Sequence, residues 1–542
     1  MNTACTRTQM EFKGLGRRKV VAAFDGGHIS SDGGALLLRE TDSRLGITRQ
    51  LAACFTDHRA PERIEHSVLE MLRQRIYGIA LGYEDLNDHD DLMRDPLFAL
   101  ALGKTDPEGK ARRRKGDEGK ALASSSTLNR LELTPTDASA KSRYKKVLYH
   151  PDRLEALLVD LFVDSFQKAP KEIILDFDAT DDPIHGNQEG RFFHGYYECY
   201  CYLPLYVTCG DQLLAAKLRT SDRDGADGST KLLAYLVQRI RKRWSEVKII
   251  VRADSGFARD GFFDWCETHD VHYVVGLAKN QRLLKKLGKE LEEARALHAQ
   301  SGQAERVFTH FIYRTQKSWT RARRVIAKAE HLDKGSNPRF IVTNLPEDYT
   351  TPKSLYENIY CARGDMENRI KEQQLDLFAD RTSSHTMRAN QLRLWFSSFA
   401  YVIVNAMRRI ALKGTRMAKA TCGSIRLKLF KIGAQLKIST RRFFIHFASA
   451  CPYQDVFQQA WHNLHAYPPC AAEARKATPD GPDVRIAATG ERGRSVHQAT
   501  NTVQTLRNLS QNNQTTGKSP RAPNKKEISR ALVSDTVLSD VC

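Results

Sequence analysis

Apolar positions change their period along the chain, and the changes mark its elements. Near the start, Val20-Val21-Ala22-Ala23-Phe24 reads as a short strand between Gly-rich turns. Pro61 opens a predicted helix with Ile64, Val68, Leu72, Ile76 and Ile79 on one face. Short helices follow over Asp85 to Leu102, and Arg153 to Phe166 is an amphipathic helix. From Glu172 strands and helices alternate. Ile173 to Asp178 is a buried strand ending in acids, Tyr202–Cys209 and Leu213–Leu218 form a hairpin around Gly210-Asp211, and Thr230–Arg243 is a helix. The β-branched run Lys248 to Val251 leads into Arg252-Ala253-Asp254, then a helix over Asp260 to Thr268 and a strand at Tyr273 to Leu277. This succession predicts a mixed α/β sheet.

Beyond it, Arg282 to Ala299 has the pattern of a Lys/Glu-rich helix. Arg306–Tyr313, Arg321–Lys328 and Arg339–Val342 alternate as an antiparallel β insert, or as an edge extension of the main sheet. Ser354–Leu377 and Asn390–Leu412 are helical, and Ile425–Phe447 reads as a basic hairpin around Gly433-Ala434. Residues 471–542 are rich in Asn, Gln, Thr, Ser, Gly and Pro, the composition of a disordered tail. The expected organisation is an N-terminal, mostly helical region (1–170), an α/β core (171–279 and 346–415), a β-rich insertion (280–345), a basic hairpin region (416–470) and the tail.

Charge changes the picture next. Lys and Arg (84) exceed Asp and Glu (64), for a net charge of +20. A balance this basic favours a polyanionic partner, most often nucleic acid. Basic runs at 110–115 and 141–146 are solvated loops or phosphate-contacting arms. The 11 Cys include no CxxC pair, so a zinc ribbon is not expected. No apolar run of membrane length occurs, and a reducing cytoplasm is the expected setting.

The chemistry gathers at acids. Asp176 and Asp178 project from one side of their strand, and Asp254 ends another. Carboxylates forced together repel unless a cation lies between them, and hard oxygen donors suit Mg²⁺ or Mn²⁺. On the later helix, Tyr360, Arg363, Glu367, Lys371 and Gln374 recur at spacings of 3 and 4 and share a face, as an acid-and-phosphate face or as surface ion pairs. Asp222 and Asp224 read as turn-capping acids, and His185 and His194 as structural residues or DNA contacts. For a basic chain, three such acids point to two-metal phosphodiester chemistry.

At Leu175 to Gly186, Arg252 to Phe257 and Tyr360 to Glu372 the sequence resembles the DDE transposases of bacterial insertion sequences. The resemblance is to the subgroup with a β-rich insertion and a Y-R-E-K signature, and it runs from about residue 172 to 412. It implies an RNase H-like fold with a β-rich insertion, two Mg²⁺ (or Mn²⁺) ions per site, cleavage at the ends of an element and 3′-OH strand transfer into target DNA. A homodimer on DNA, in a bacterial cytoplasm at the nucleoid, goes with it. Asp178 is then the first carboxylate, in an Asp-x-Thr pattern completed by Thr180, with Asp176 the runner-up. Asp254 is the second and Glu367 the third. Tyr360 and Arg363 would steer a DNA phosphate. The signature Lys falls at Gln374, and Lys371 lies one turn earlier. Trp319, in the insertion, is a base-stacking candidate or a packed strand residue. The alternatives are an inactive DNA-binding derivative and a nuclease of the same fold without strand transfer.

Overall fold

A computed structural model describes residues 9–468. The expected tail lies outside them. The described residues fall into two units, one of 9–149 and 399–468, the other of 150–398.

The second unit is built on one large sheet. Its elements run α1 (Pro151–Asp164), β1 (Glu172–Ala179), β2 (Leu205–Cys209), β3 (Gln212–Lys217), α2 (Ser229–Arg241), β4 (Lys248–Ala253), α3 (Asp260–Thr268), β5 (His272–Leu277), α4 (Gly288–Ser301), β6 (Glu305–Tyr313), β7 (Arg323–Leu332) and β8 (Arg339–Thr343). The strand order is β3-β2-β1-β4-β5-β8-β7-β6. β2 runs antiparallel to both of its neighbours, β3 and β1, whereas β4 and β5 run parallel to β1. Three antiparallel strands followed by two parallel ones make an RNase H-like sheet.

The period of two along β1 divides its side chains between two cores. Ile173, Leu175 and Phe177 pack with Phe162 of α1, Leu236 of α2 and Phe263 of α3. Ile174 points the other way and joins Ile250 and Val274 against Leu355, Tyr356 and Tyr360. Asp176 and Asp178 share parity with Ile174. The sheet therefore delivers its acids to the face covered by the helical run that begins at Pro352. Residues 150–170, expected with the N-terminal region, belong here instead, because Val159, Phe162 and Val163 of α1 bury against the sheet.

The strands of the expected insertion continue this sheet. β8 pairs with β5 (Val275↔Val342), and β7 with β8 (Ile326↔Ile341). Residues 323–330 of β7 are all buried, the mark of a strand covered on both faces. An uncovered β5 would leave an open edge, which these strands close.

In the first unit, the helix expected from Pro61 is two pieces. Pro61–Arg63 is a 3₁₀ turn, and the α-helix is Val68–Leu81. Its start is set by Ser67, whose hydroxyl accepts from the Glu70 amide while the Glu70 carboxylate accepts from the Ser67 amide. Ile64 thus lies outside the helix. The basic hairpin also differs from expectation. Cys422–Phe430 is helical, burying Ile425, Leu429 and Phe430 and leaving Leu427 71% exposed. That helical spacing overrides the apparent alternation. The hairpin strands are Ala434–Ile438 and Phe443–Phe447, so the turn falls at 439–442 rather than at Gly433-Ala434.

Candidate active site

β1 and β4 lie side by side and parallel, with Arg252 opposite Asp176 and Ala253 opposite Phe177. The next residue on each strand brings Asp254 alongside Asp178. Asp254 leaves the sheet with its Oδ1 accepting from the Gly256 amide at 2.9 Å, which turns the chain into a 3₁₀ segment. Asp178 caps the end of β1, its Oδ1 accepting from the Ala179 amide at 3.0 Å.

The helical run over 352–376 closes the site. It is α-helical at Gly364–Lys371 but π-helical at Leu355–Tyr360 and Glu372–Asp376, with a 3₁₀ turn at Cys361–Arg363. Changes of helical pitch commonly mark functional helices. Arg363 is fully buried. It donates from Nη1 to Asp178 Oδ2 at 3.1 Å and from Nη2 to Glu367 Oε1 at 3.2 Å. Its guanidinium thus holds two of the three acids from one point. Burial opposes its charge, but the carboxylates of Asp178 and Asp254 outweigh that and bind the proton more tightly. Asp178 shows the strain of this grouping. Burial, opposed by Arg363 and reinforced by Asp254 and Glu367, leaves its carboxyl pushed up to about 7.

Asp176 is spent differently. It forms a bidentate pair with Arg252, Nε to Oδ1 at 2.5 Å and Nη2 to Oδ2 at 2.7 Å, with both side chains buried. Arg252 also donates to the Ile359 carbonyl, tying the helical run to the sheet. Tyr360 is buried against the strand after Asp254. A Cβ at Gly276 would lie 2.5 Å from its Oη and 2.8 Å from the Ser255 amide nitrogen, so only glycine permits this approach. Burial raises the Tyr360 phenol above its usual range, Arg363 pulling against that and Asp254 adding to it. Gly276→Ala is expected to cost about 1–3 kcal/mol, as overpacking does, and to lower any activity of the site. Urea unfolding alongside a rate measurement checks this, and unchanged values of both would contradict the packing.

Of the other sequence candidates, Lys371 is half-buried on the same helix. Gln374 donates from Nε2 to the Asp181 carbonyl at 2.9 Å, binding the helix to the segment after β1. Trp319 is not brought to the acids. It is 4% exposed, with its ring 5.8 Å from both Phe263 and Tyr313. The stacking role expected of it is corrected on that ground, since a packed indole has no free face for a base. His185 is exposed, and His194 lies 4.9 Å, ring to ring, from Tyr197. Asp224 caps its turn by accepting from the Ala226 amide and also pairs with Arg259. Sequence reasoning missed Tyr197. Burial first, then the charges of Asp181 and Asp178, raises its phenol above the ordinary range. The signal was available in the crowding of aromatics between Phe192 and Tyr202.

Among the described residues no group of three acids, imidazoles or thiols is already arranged around a common ion position. The chemistry of Asp178, Asp254 and Glu367, carboxylate oxygens alone, is the kind a hard divalent cation takes, although as placed they do not surround one: Asp178 and Glu367 meet at Arg363, whose guanidinium supplies the compensating charge.

An RNase H-like sheet with acids at the ends of β1 and β4 and on the covering helix defines a core of the DDE kind. The chain belongs to the family described as Transposase DDE domain group 1, whose model matches residues 12–469. Among solved structures it is similar to a piggyBac transposase, in a cryo-EM synaptic complex with hairpin DNA, at 12% identity and a TM-score of 0.34. That likeness covers 74% of this chain and 80% of the other. No curated protein sequence matches. Among the described residues no helix is long and apolar enough to cross a membrane.

Proposed function

We propose that this transposase cuts DNA at the ends of its element and joins the freed 3′-OH to target DNA, with Asp178, Asp254 and Glu367 as its catalytic carboxylates. The observation that carries the reading is the convergence of Asp178 and Glu367 on Arg363 beside Asp254. Asp178 takes the first place over Asp176 because Asp176 is committed to Arg252. The three carboxylates would hold Mg²⁺ or Mn²⁺, which when bound supplies positive charge to the attacking and leaving oxygens of a phosphodiester. Arg363 would then turn its guanidinium to a DNA phosphate, and Tyr360 would orient the same group. Lys371 offers a further cation on that helix. Bringing two ends together requires at least a dimer on DNA, and the net charge of +20 suits the polyanion.

The test is a product analysis on duplexes carrying the element's own ends and a supercoiled target. Joined strands support the proposal. Cuts without joining favour a nuclease, and salt-sensitive binding without either favours an inactive DNA-binding derivative.

The raised Asp178 carboxyl makes a pH prediction. Between about 4 and about 7 the folded protein holds a proton at Asp178 that the unfolded chain has released. Its contribution to metal-free stability therefore falls as pH rises through that window. Divalent ions are expected to reverse the loss above pH 7, and metal-dependent cutting is expected to weaken below it. Thermal unfolding across pH, with and without Mg²⁺, checks both. Stabilisation by Mg²⁺ that was equal at pH 5 and pH 8 would contradict them.

A further inference from the structure

The helical run that carries Glu367 is fastened to the end of β1 at two points. Arg363 donates from Nη1 to Asp178 Oδ2 at 3.1 Å, and Gln374 donates from Nε2 to the Asp181 carbonyl at 2.9 Å. Glu367 lies between them, four residues after Arg363 and seven before Gln374. A third bond supports the second. Asp182 is 1% exposed, and its Oδ2 accepts from the Thr382 hydroxyl at 2.9 Å, just beyond the helical run.

The two points differ in kind. Arg363 carries a charge, and the groups it holds are the acids themselves. A phosphate takes a guanidinium with strong, paired hydrogen bonds, so the bond to Asp178 is the one that yields to DNA. Gln374 is neutral, and its acceptor is a backbone carbonyl. An arriving phosphate finds no charge there to draw away. The amide also stands within the π-helical segment Glu372–Asp376, a departure from α pitch of the sort that recurs at functional sites.

We propose that Gln374 is a positioning residue for DNA cleavage: it keeps Glu367 in register with Asp178 after Arg363 has turned to the DNA. The inference rests on the transposase reading above and deepens it. It gives a physical sense to an amide where the signature has a lysine. A lysine would offer a charge to the DNA, whereas the amide stays on the Asp181 carbonyl and leaves phosphate contact to other cations. Direct contact of Gln374 with a DNA phosphate is the competing role.

The experiment uses the full chain and a duplex carrying the element's own ends. Gln374→Glu keeps the shape but sets an acceptor against the Asp181 carbonyl. It and Gln374→Ala are expected to lower kcat for nicking at saturating Mg²⁺ about 10-fold, with KM for the duplex within about twofold of wild type. Circular dichroism verifies the fold of each variant. In an Asp254→Ala background, which leaves the DNA uncut, hydrogen exchange reads the fastening itself. The Thr180 and Ile184 amides, on either side of Asp181, donate to the Pro204 and Tyr200 carbonyls. With DNA bound they are expected to exchange faster when Gln374→Ala is added, and at matching rates without DNA. Equal kcat in all three proteins, or a wild-type kcat in Gln374→Glu, would overturn the assignment. So would exchange that ignores DNA. A raised KM at unchanged kcat, confined to ends with a terminal phosphate, would overturn it in favour of phosphate contact. A wild type that neither bound nor nicked the duplex would contradict the transposase reading beneath it.

Discussion

Replacing Glu367 by Gln is expected to abolish metal-dependent cleavage, by about a thousandfold or more, while leaving DNA binding intact. The substitution preserves shape and keeps an acceptor oxygen for Arg363, which now donates to Glu367 Oε1 at 3.2 Å. What it removes is one negative charge among three, and with it the affinity for a divalent ion and the stabilisation that ion gives to developing charge. Glu367 stands on an α-helical turn between two π segments, and its side chain is 12% exposed. The backbone therefore has no reason to move. Filter binding and nicking on the same duplex separate the two effects, and lost binding would count against the assigned role.

The second large effect concerns stability. Arg252→Ala is expected to destabilise the protein by about 3–5 kcal/mol, the usual consequence of leaving one partner of a buried ion pair alone. Asp176 would lose both of its guanidinium bonds, and the helical run would lose its tie at the Ile359 carbonyl. Burial already raises the Asp176 carboxyl despite Arg252. Without the arginine it should protonate, so the variant's deficit should shrink as pH falls. Urea unfolding at pH 5 and pH 8 measures this. Asp176→Leu with Arg252→Met should recover much of the loss, because it removes both buried charges together.

The sheet was legible because its central strands are apolar on both faces and end in polar residues. Ile249, Ile250 and Val251 leave few alternatives to a covered strand, and Arg252-Ala253-Asp254 marks where it ends. Asp178 and Asp254 are readable for the same reason. Sequence could not separate Asp176 from Asp178, since a shared strand face says nothing of partners, and the partner lies on a neighbouring strand. The face drawn through Tyr360, Arg363 and Glu367 assumed one helical period. The run in fact mixes α, π and 3₁₀ pitch, yet the Arg363–Glu367 spacing of four survives within it. Trp319 was open to two readings because its neighbours Lys317 and Arg321 are charged, while the residues that bury it are distant in sequence. The turn of the basic hairpin was misplaced because Gly433 looks like a turn residue. Alternation and helix share apolar positions over such short stretches.

The most direct test of the account is cleavage of a duplex carrying the element's own ends, with Mg²⁺ or Mn²⁺, by the wild type and by Asp254→Ala. The account predicts metal-dependent nicking by the wild type and none by the variant, with equal binding by both. Nicking that survives in Asp254→Ala, or tight binding with no cutting by either protein, would contradict it.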